Sequence, residues 1–297
     1  MTALQPEDVA AVVVLYHPEA DTVFNLSEYA SDFGHVWAID NSEEPDARVV
    51  AAISAIPTVE CVPMHRNSGL GTALNAGVAR ARDAGFAWVV TLDQDSSPAA
   101  RMLFELSRCA SSCLETRELG LVSPVLKLEN GPEETGYEGC REVLTTITSG
   151  SLVSVAGWEK VAGFDEGLFI DQVDHDFCLR LHSAGLDVLE CGSAVLAHRM
   201  GEMRQRRLLG PVYVSNHSAL RRYYITRNRF AVSQRFRAEF PGFRAREMSA
   251  QRNELMKIVL LEDHKVAKLL MSWRGYRDYR RGITGPYAAP QRRRAGV

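Results

Sequence analysis

Asp93 and Asp95 stand one residue apart where the apolar run Trp88-Val89-Val90-Thr91-Leu92 breaks, just before Ser96. An apolar run bounded by a polar turn reads as a buried strand, and side chains at i and i+2 of an extended segment point the same way. Two carboxylates then face one site at a strand's C-terminal end, where open α/β sheets bind ligands. Paired carboxylates there suit a divalent cation carrying phosphates, although an Asp-x-Asp triplet taken alone is more often a solvated turn. A second acidic group, Asp171, Asp174 and Asp176, opens a helical pattern that ends near Gly185. Carboxylates at a helix start offset the dipole, which accounts for one or two of these acids but hardly for three.

The elements that must position these groups alternate. Val9–Tyr16 is a β-branched strand ended by His17-Pro18, residues 19–34 have room for a helix, and Val36–Ser42 is a second strand ending in Asp40-Asn41. Val59–Pro63 is a shorter strand, and Asn67-Ser68-Gly69-Leu70-Gly71 runs into an Ala-rich helix to about Ala84. The order β-α-β-(α)-β-loop-α-β predicts an α/β fold with a mostly parallel central sheet flanked by helices. The glycine loop lacks the lysine of a Walker loop and does not match G-x-G-x-x-G, so it indicates neither an ATPase nor a dinucleotide enzyme. Farther on, helix is expected over 100–117, strand over 120–126, loop over 129–142, strand over 144–155 and strand over 188–198, the last closed by His198. Beyond Gly210 the pattern is helical, which divides the chain into a body, 1–210, and a C-terminal extension, 211–297.

At 297 residues with 46% apolar content the chain is globular. No apolar run reaches eighteen residues and the N-terminus lacks a basic signal-peptide region, so a cytoplasmic location is expected. The six cysteines form no C-x-x-C pair and read as thiols, mostly packed. From Arg199 onward there are 23 Lys and Arg against 7 Asp and Glu, whereas the preceding part carries 11 against 30. An acidic body with a basic tail points to an anionic partner for the tail. Basic helices with Trp273, Tyr276 and Tyr279 fit a membrane interface, and packing on the chain's own body gives the same stripe. Binding of nucleic acid through the tail is disfavoured, because the acidic body repels phosphates.

The ordered set Leu15-Tyr16-His17-Pro18, Ile39-Asp40-Asn41-Ser42, Asn67-x-Gly69-x-Gly71-x3-Asn75-x-Gly77, Leu92-Asp93-Gln94-Asp95-Ser96, Gly163-Phe164-Asp165-Glu166, Phe169-Ile170-Asp171-x2-Asp174-x-Asp176-x2-Leu179-Arg180 and His198 resembles the inverting family 2 glycosyltransferases of GT-A fold, most closely the bacterial rhamnosyltransferase branch. The segment Trp273–Asp278, before Arg281-Gly282-x2-Gly285, is also similar to that branch.

The resemblance implies a donor nucleotide-sugar held by Tyr16, His17, Asp40, Asn67, Gly69, Gly71, Asn75, Asp93 and Gln94, with Asp40 on the pyrimidine; Asp-Asn-Ser is also capping and Asx-turn chemistry, and the base contact is the favoured reading. It implies Mg²⁺ or Mn²⁺ on Asp95, with Asp93 on the ribose or the metal and His198 as a further ligand. Asp174 aligns with the catalytic base. The residue before it is Val173, where the family has an acid, which leaves Asp171 as a rival base; Asp176 would orient the helix start or the acceptor. The function implied is transfer of L-rhamnose from dTDP-L-rhamnose to a polysaccharide or lipid-linked glycan, by an enzyme peripheral to the inner face of the plasma membrane. Homo-oligomer contacts through the C-terminal helices are compatible with this. A galactofuranosyl- or other hexosyltransferase using a UDP-sugar is the alternative; a sugar nucleotidyltransferase is disfavoured because no Gly-rich Arg/Lys loop follows the first strand.

Overall fold

Val9–Leu15 has almost no solvent-facing position, as a strand covered on both faces requires. A computed structural model of the chain describes residues 4–99, 101–114, 116–128, 137–198, 204–207, 211–214 and 216–289. That run is β1, and it is followed by α1 (Ala20–Tyr29), β2 (His35–Asp40), α2 (Ala47–Ser54), β3 (Val59–Pro63), α3 (Leu70–Asp83) and β4 (Trp88–Asp93), the alternation expected from the sequence. β5 (Ser97–Pro98), α4 (Met102–Cys113), β6 (Leu119–Leu128), β7 (Cys140–Glu142), β8 (Ser151–Ser154), α5 (Val155–Lys160), α6 (Val173–Ser183) and β9 (Asp187–His198) complete the body.

The nine-stranded sheet has the order β3-β2-β1-β4-β8-β6-β9-β5, with β7 also on β9. β1, β2, β3, β4, β6 and β9 run one way and β5, β7 and β8 the other, so the α/β sheet is mostly parallel in direction. β1, β2 and β4 therefore end side by side, which brings Tyr16, Asn41 and Asp93 to one edge. One apolar core lies on each face of the sheet.

Several local expectations change. The strand expected over 144–155 is confined to β8, because Ser154 accepts a hydrogen bond from Gly157 N–H at 3.2 Å and so caps α5. Within the expected loop 129–142, residues 129–136 lie outside the described set and Cys140–Glu142 is strand. An antiparallel ribbon, β10 (Arg204–Arg207) with β11 (Pro211–Val214), was not expected. The cysteines are not all thiols: Cys109 and Cys140 are joined, because α4 packs on β9 and β9 pairs with β7, which brings their Cα atoms to 6.6 Å.

Three C-terminal helices follow, α7 (Ala219–Arg235), α8 (Pro241–Leu261) and α9 (Lys265–Arg280). α7 lies against both the body and α9, where Gly275 allows so close an approach that a Cβ there would sit 2.4 Å from the Tyr223 carbonyl oxygen. Among the described residues, no helix is long and apolar enough to cross a membrane.

α3 approaches the sheet through Gly77, where an added Cβ would lie 2.3 Å from Val12 Cγ1. Gly77→Ala is expected to lose about 1–3 kcal/mol by overpacking, seen as a lower urea midpoint; an unchanged midpoint would mean that α3 does not hold this position.

Candidate functional site

The C-terminal ends of β1, β2 and β4 open into a cavity of about 660 Å³, a size that suits a small ligand. Its sheet-side wall carries Tyr16, Asn41, Asn67, Gly69, Asp93 and Gln94. The wall is laced together. Tyr16 N–H donates to Gln94 Oε1 at 2.8 Å, Asn41 Nδ2 donates to Asn67 Oδ1 at 3.2 Å, and Asn41 Oδ1 accepts from Ser68 N–H at 2.8 Å. Asp93 N–H is held by the hydroxyls of Ser96 and Ser149, each at 3.2 Å. Beneath this wall Asp40 is fully buried. Its Oδ1 closes the Asx turn on Ser42 N–H, as the capping reading expects, while its Oδ2 is buried without a partner. An orphaned buried acceptor is costly and suits an incoming N–H donor.

The opposite wall is an acidic turn. Phe169, Asp171 and Gln172 all have positive φ, at 67°, 63° and 67°, a conformation that costs non-glycine residues on the order of 1–3 kcal/mol each. Asp174 stands in the first turn of α6, lines the cavity, and among the described residues pairs with no cation; its Oδ1 accepts from His175 N–H at 2.8 Å. Asp171 lines the cavity too, but its Oδ1 accepts from Arg221 at 3.1 and 3.3 Å. Burial pushes the Asp171 carboxyl up, against the pull of Arg221.

Side chains of α7 hold the turn. Asn228 Nδ2 lies 2.7, 2.7 and 3.0 Å from the carbonyl oxygens of Leu168, Ile170 and Asp171, and its two N–H groups are shared among them. Arg227 donates to Gly167 O and Leu168 O at 3.2 and 2.9 Å, and Phe169 stacks on Tyr224 with ring centroids 5.0 Å apart. Across the cavity the turn meets α3, where Leu70 N–H donates to Phe169 O at 2.6 Å. A Cβ on Gly69 would lie 2.6 Å from that same oxygen, and one on Gly71 3.0 Å from Asp165 O. The glycines were expected to admit a ligand to the backbone; what they admit is the chain's own acidic turn.

Residues 21–107 match the family Glycosyl transferase family 2. The dTDP-rhamnosyl transferase RfbF of Shigella flexneri is 28% identical over 239 residues, which are 76% of this chain and 79% of that one. Among solved structures, S. aureus TarS 1–349 in complex with UDP-GlcNAc superposes with TM-score 0.61 at 14% identity, covering 93% of this chain and 81% of that one. GalNAc-T7 with UDP, GalNAc and Mn²⁺ gives 0.57 at 13% identity, covering 78% of this chain. The chain spans 48% of the GalNAc-T7 structure, about half its length.

Through residues 21–107 the chain is similar to glycosyltransferase family 2. Its GT-A architecture is the one these structural neighbours share, and it is a glycosyltransferase enzyme.

Within this glycosyltransferase the expected site residues separate. Tyr16, Asn67, Gly69, Asp93, Gln94, Asp171 and Asp174 line the cavity. Asn75, expected at the nucleotide, faces away: it donates to Phe164 O and Glu166 and accepts from Trp158 Nε1, which ties α3 to the 163–166 turn. His17 lies outside the cavity lining and pairs with Glu43 at 3.3 Å. Asp176 is fully buried between Arg180, at 2.7 Å, and Arg235, and does not line the cavity. The alternation expected to aim Asp93 and Asp95 together stops short, because β4 ends at Asp93 and Ser96 N–H turns back onto Asp93 O at 3.0 Å. Asp95 is exposed in that turn.

The pairing of Ser97 with Ala197 carries the end of β9 beside the same turn, which brings the His198 backbone near; the His198 side chain lies outside the described residues. Hard carboxylate oxygens on Asp93 and Asp95 fit Mg²⁺ or Mn²⁺. Among the described residues, the only close trio of His, Cys, Asp or Glu is Cys109, Cys113 and Cys140 on α4 and β7, and two of those are joined.

His217, Arg221, Arg229 and Glu254 of the extension also line the cavity, which the sequence reading did not anticipate. The signal for Arg229 alone was the triplet Arg227-Asn228-Arg229 at the centre of a helix, where asparagine has no capping work to do.

Burial, reinforced by Arg221 and Arg222, holds the His217 imidazole down at about 4, below its ordinary 6.5. With the folded value depressed, the unfolded chain takes up the proton first. The stabilising effect is therefore whole above pH 6.5 and is lost as pH falls towards 4. His217→Asn is expected to lose less stability than the parent between those pH values in urea melts; equal losses would contradict a half-buried neutral imidazole.

Proposed function

We propose that this enzyme is an inverting, metal-dependent glycosyltransferase that moves L-rhamnose from dTDP-L-rhamnose to a polysaccharide or lipid-linked glycan. The observation that carries the reading is the opposition of two walls across one cavity. One wall carries Asp93, with the orphaned Asp40 oxygen buried behind it, and Asp174 stands on the other, free of any cation among the described residues. The donor sugar is inferred from the dTDP-rhamnosyl transferase relative.

The pyrimidine N–H would satisfy Asp40 Oδ2, and the ribose and diphosphate would run along Asn67, Gly69, Asp93 and Gln94. A divalent cation held by Asp95 and Asp93, with His198 as a further ligand, would neutralise charge on the leaving nucleoside diphosphate. Asp174 takes the proton of the acceptor hydroxyl as that oxygen bonds to the anomeric carbon from the face opposite the breaking bond to the diphosphate, which inverts the configuration. Asp171 is the second candidate base, and its Oδ1 is already taken by the ion pair with Arg221. A UDP-hexose donor is the alternative, favoured by the UDP-sugar in the complex of the TarS neighbour and the UDP in that of GalNAc-T7.

Calorimetric titration with dTDP and with UDP, with and without Mn²⁺, tests the donor site. Metal-dependent dTDP binding that Asp95→Ala abolishes is expected; UDP preference would move the donor to another hexose. Asp174→Asn is expected to lower kcat by about 10²–10⁴-fold while nucleotide affinity stays as in the parent. A larger loss in Asp171→Asn than in Asp174→Asn would reverse the assignment of the base.

A further inference from the structure

The exposed apolar side chains of the C-terminal helices gather at one place. On α8, Met256, Val259 and Leu260 are 50–55% exposed; on α9, Val266, Leu270 and Trp273 are 56–72% exposed. Spacings of three and four residues put each trio on one stripe of its helix. The three-residue connection between Leu261 and Lys265 sets the stripes at the same turn. The patch differs from the aromatic set expected from sequence, because Tyr276 and Tyr279 fold onto Phe230, with ring centroids 4.9 and 5.6 Å away, and only Trp273 stays well outside.

Charge surrounds the patch unevenly. Arg252, Lys265, Arg280 and Arg281 are exposed along α8, α9 and the turn after it, whereas Glu262 and Asp278 are buried and Glu254 is turned onto Arg222 and Arg229. Asp263 is the exposed acid between residues 252 and 281. An apolar stripe edged with cations fits an anionic lipid surface. Self-association through the same face would set those cations against their own copies in a two-fold interface.

The patch also borders the site. Asn216 Oδ1 accepts from Lys268 Nζ at 2.5 Å, its Nδ2 donates to Asp263 at 3.4 Å, and the next residue, His217, lines the cavity. We propose that the α8–α9 turn is the face by which this enzyme seats on an anionic bilayer, with the acceptor side of the cavity opening beside the lipid surface. This specifies the membrane partner of the glycosyltransferase reading above and rests on it only for the acceptor.

Trp37, Trp88 and Trp158 are buried, so of the four tryptophans Trp273 alone reports on this surface. The experiment is co-sedimentation of the full chain with vesicles of phosphatidylcholine alone and of phosphatidylcholine with phosphatidylglycerol, together with tryptophan emission and dTDP calorimetry. Binding about tenfold or more tighter to the anionic vesicles, weakened by salt and accompanied by a blue shift, is expected. Leu270→Glu should abolish the binding and the shift while dTDP affinity and melting temperature stay unchanged; Arg280→Glu combined with Arg281→Glu should weaken binding without removing it. Absence of anionic-vesicle binding in protein that binds dTDP overturns the seat and leaves the enzyme reading intact. A dimer in solution that Leu270→Glu splits, without vesicle binding, assigns the face to a second copy. Vesicle binding by protein that binds neither dTDP nor UDP sinks the donor reading instead.

Discussion

The hold of Asn228 and Arg227 on the carbonyls of residues 167–171 is the contact on which the site depends. Three residues of that turn sit at positive φ without being glycine, and such strain persists only where surrounding contacts over-determine it. The determinants are a shared amide on three carbonyls, a buried guanidinium on two more contacts, and an aromatic stack. What they fix is the start of α6, and with it the direction of Asp174 across the cavity. Gly69 and Gly71 complete the arrangement by letting the turn close on the N-terminus of α3.

This arrangement changes the meaning of the basic tail. Arg222, Arg227, Arg229 and Lys268 are buried, and three of them meet Glu247, Glu254 and Glu262 in a network inside the helices. Removing one partner of a buried pair strands the other and costs on the order of 3–5 kcal/mol, so these paired cations are committed to holding the C-terminal helices to one another, and Arg227 to holding α7 on the turn. Only the remainder, such as Arg252, Lys265, Arg280 and Arg281, is left to meet an external anion. Residues on either side of position 210 thus line one cavity, and Arg229 and Glu254 belong to its wall as much as Asp93 does.

Most of the body was legible in the sequence, since β-branched runs and glycine punctuation are local signals. β1, β3, α3, β4 and β9 lie where the pattern places them. Legibility failed where a contact distant in sequence decides. Asn75 resembled a nucleotide ligand but is taken by Phe164, Glu166 and Trp158, about ninety residues on. Asp95 shares its triplet with Asp93, yet a turn closed by Ser96, and not strand alternation, sets where it stands relative to Asp93. Cys109 and Cys140 met through two intermediaries, α4 on β9 and β7 on β9. The clamp was hidden for the same reason, because its asparagine and the carbonyls it holds are 57–60 residues apart.

The most direct measurement is steady-state kinetics of Asn228→Ala, paired with nucleotide calorimetry and a melting curve. A folded variant whose nucleotide affinity matches the parent and whose kcat falls about 10²-fold, the usual result of a base displaced by an ångström, is the predicted result. A folded variant with parental kcat, or one whose kcat falls only in step with its nucleotide affinity, would contradict the claim that α7 sets the proposed base, Asp174, in place.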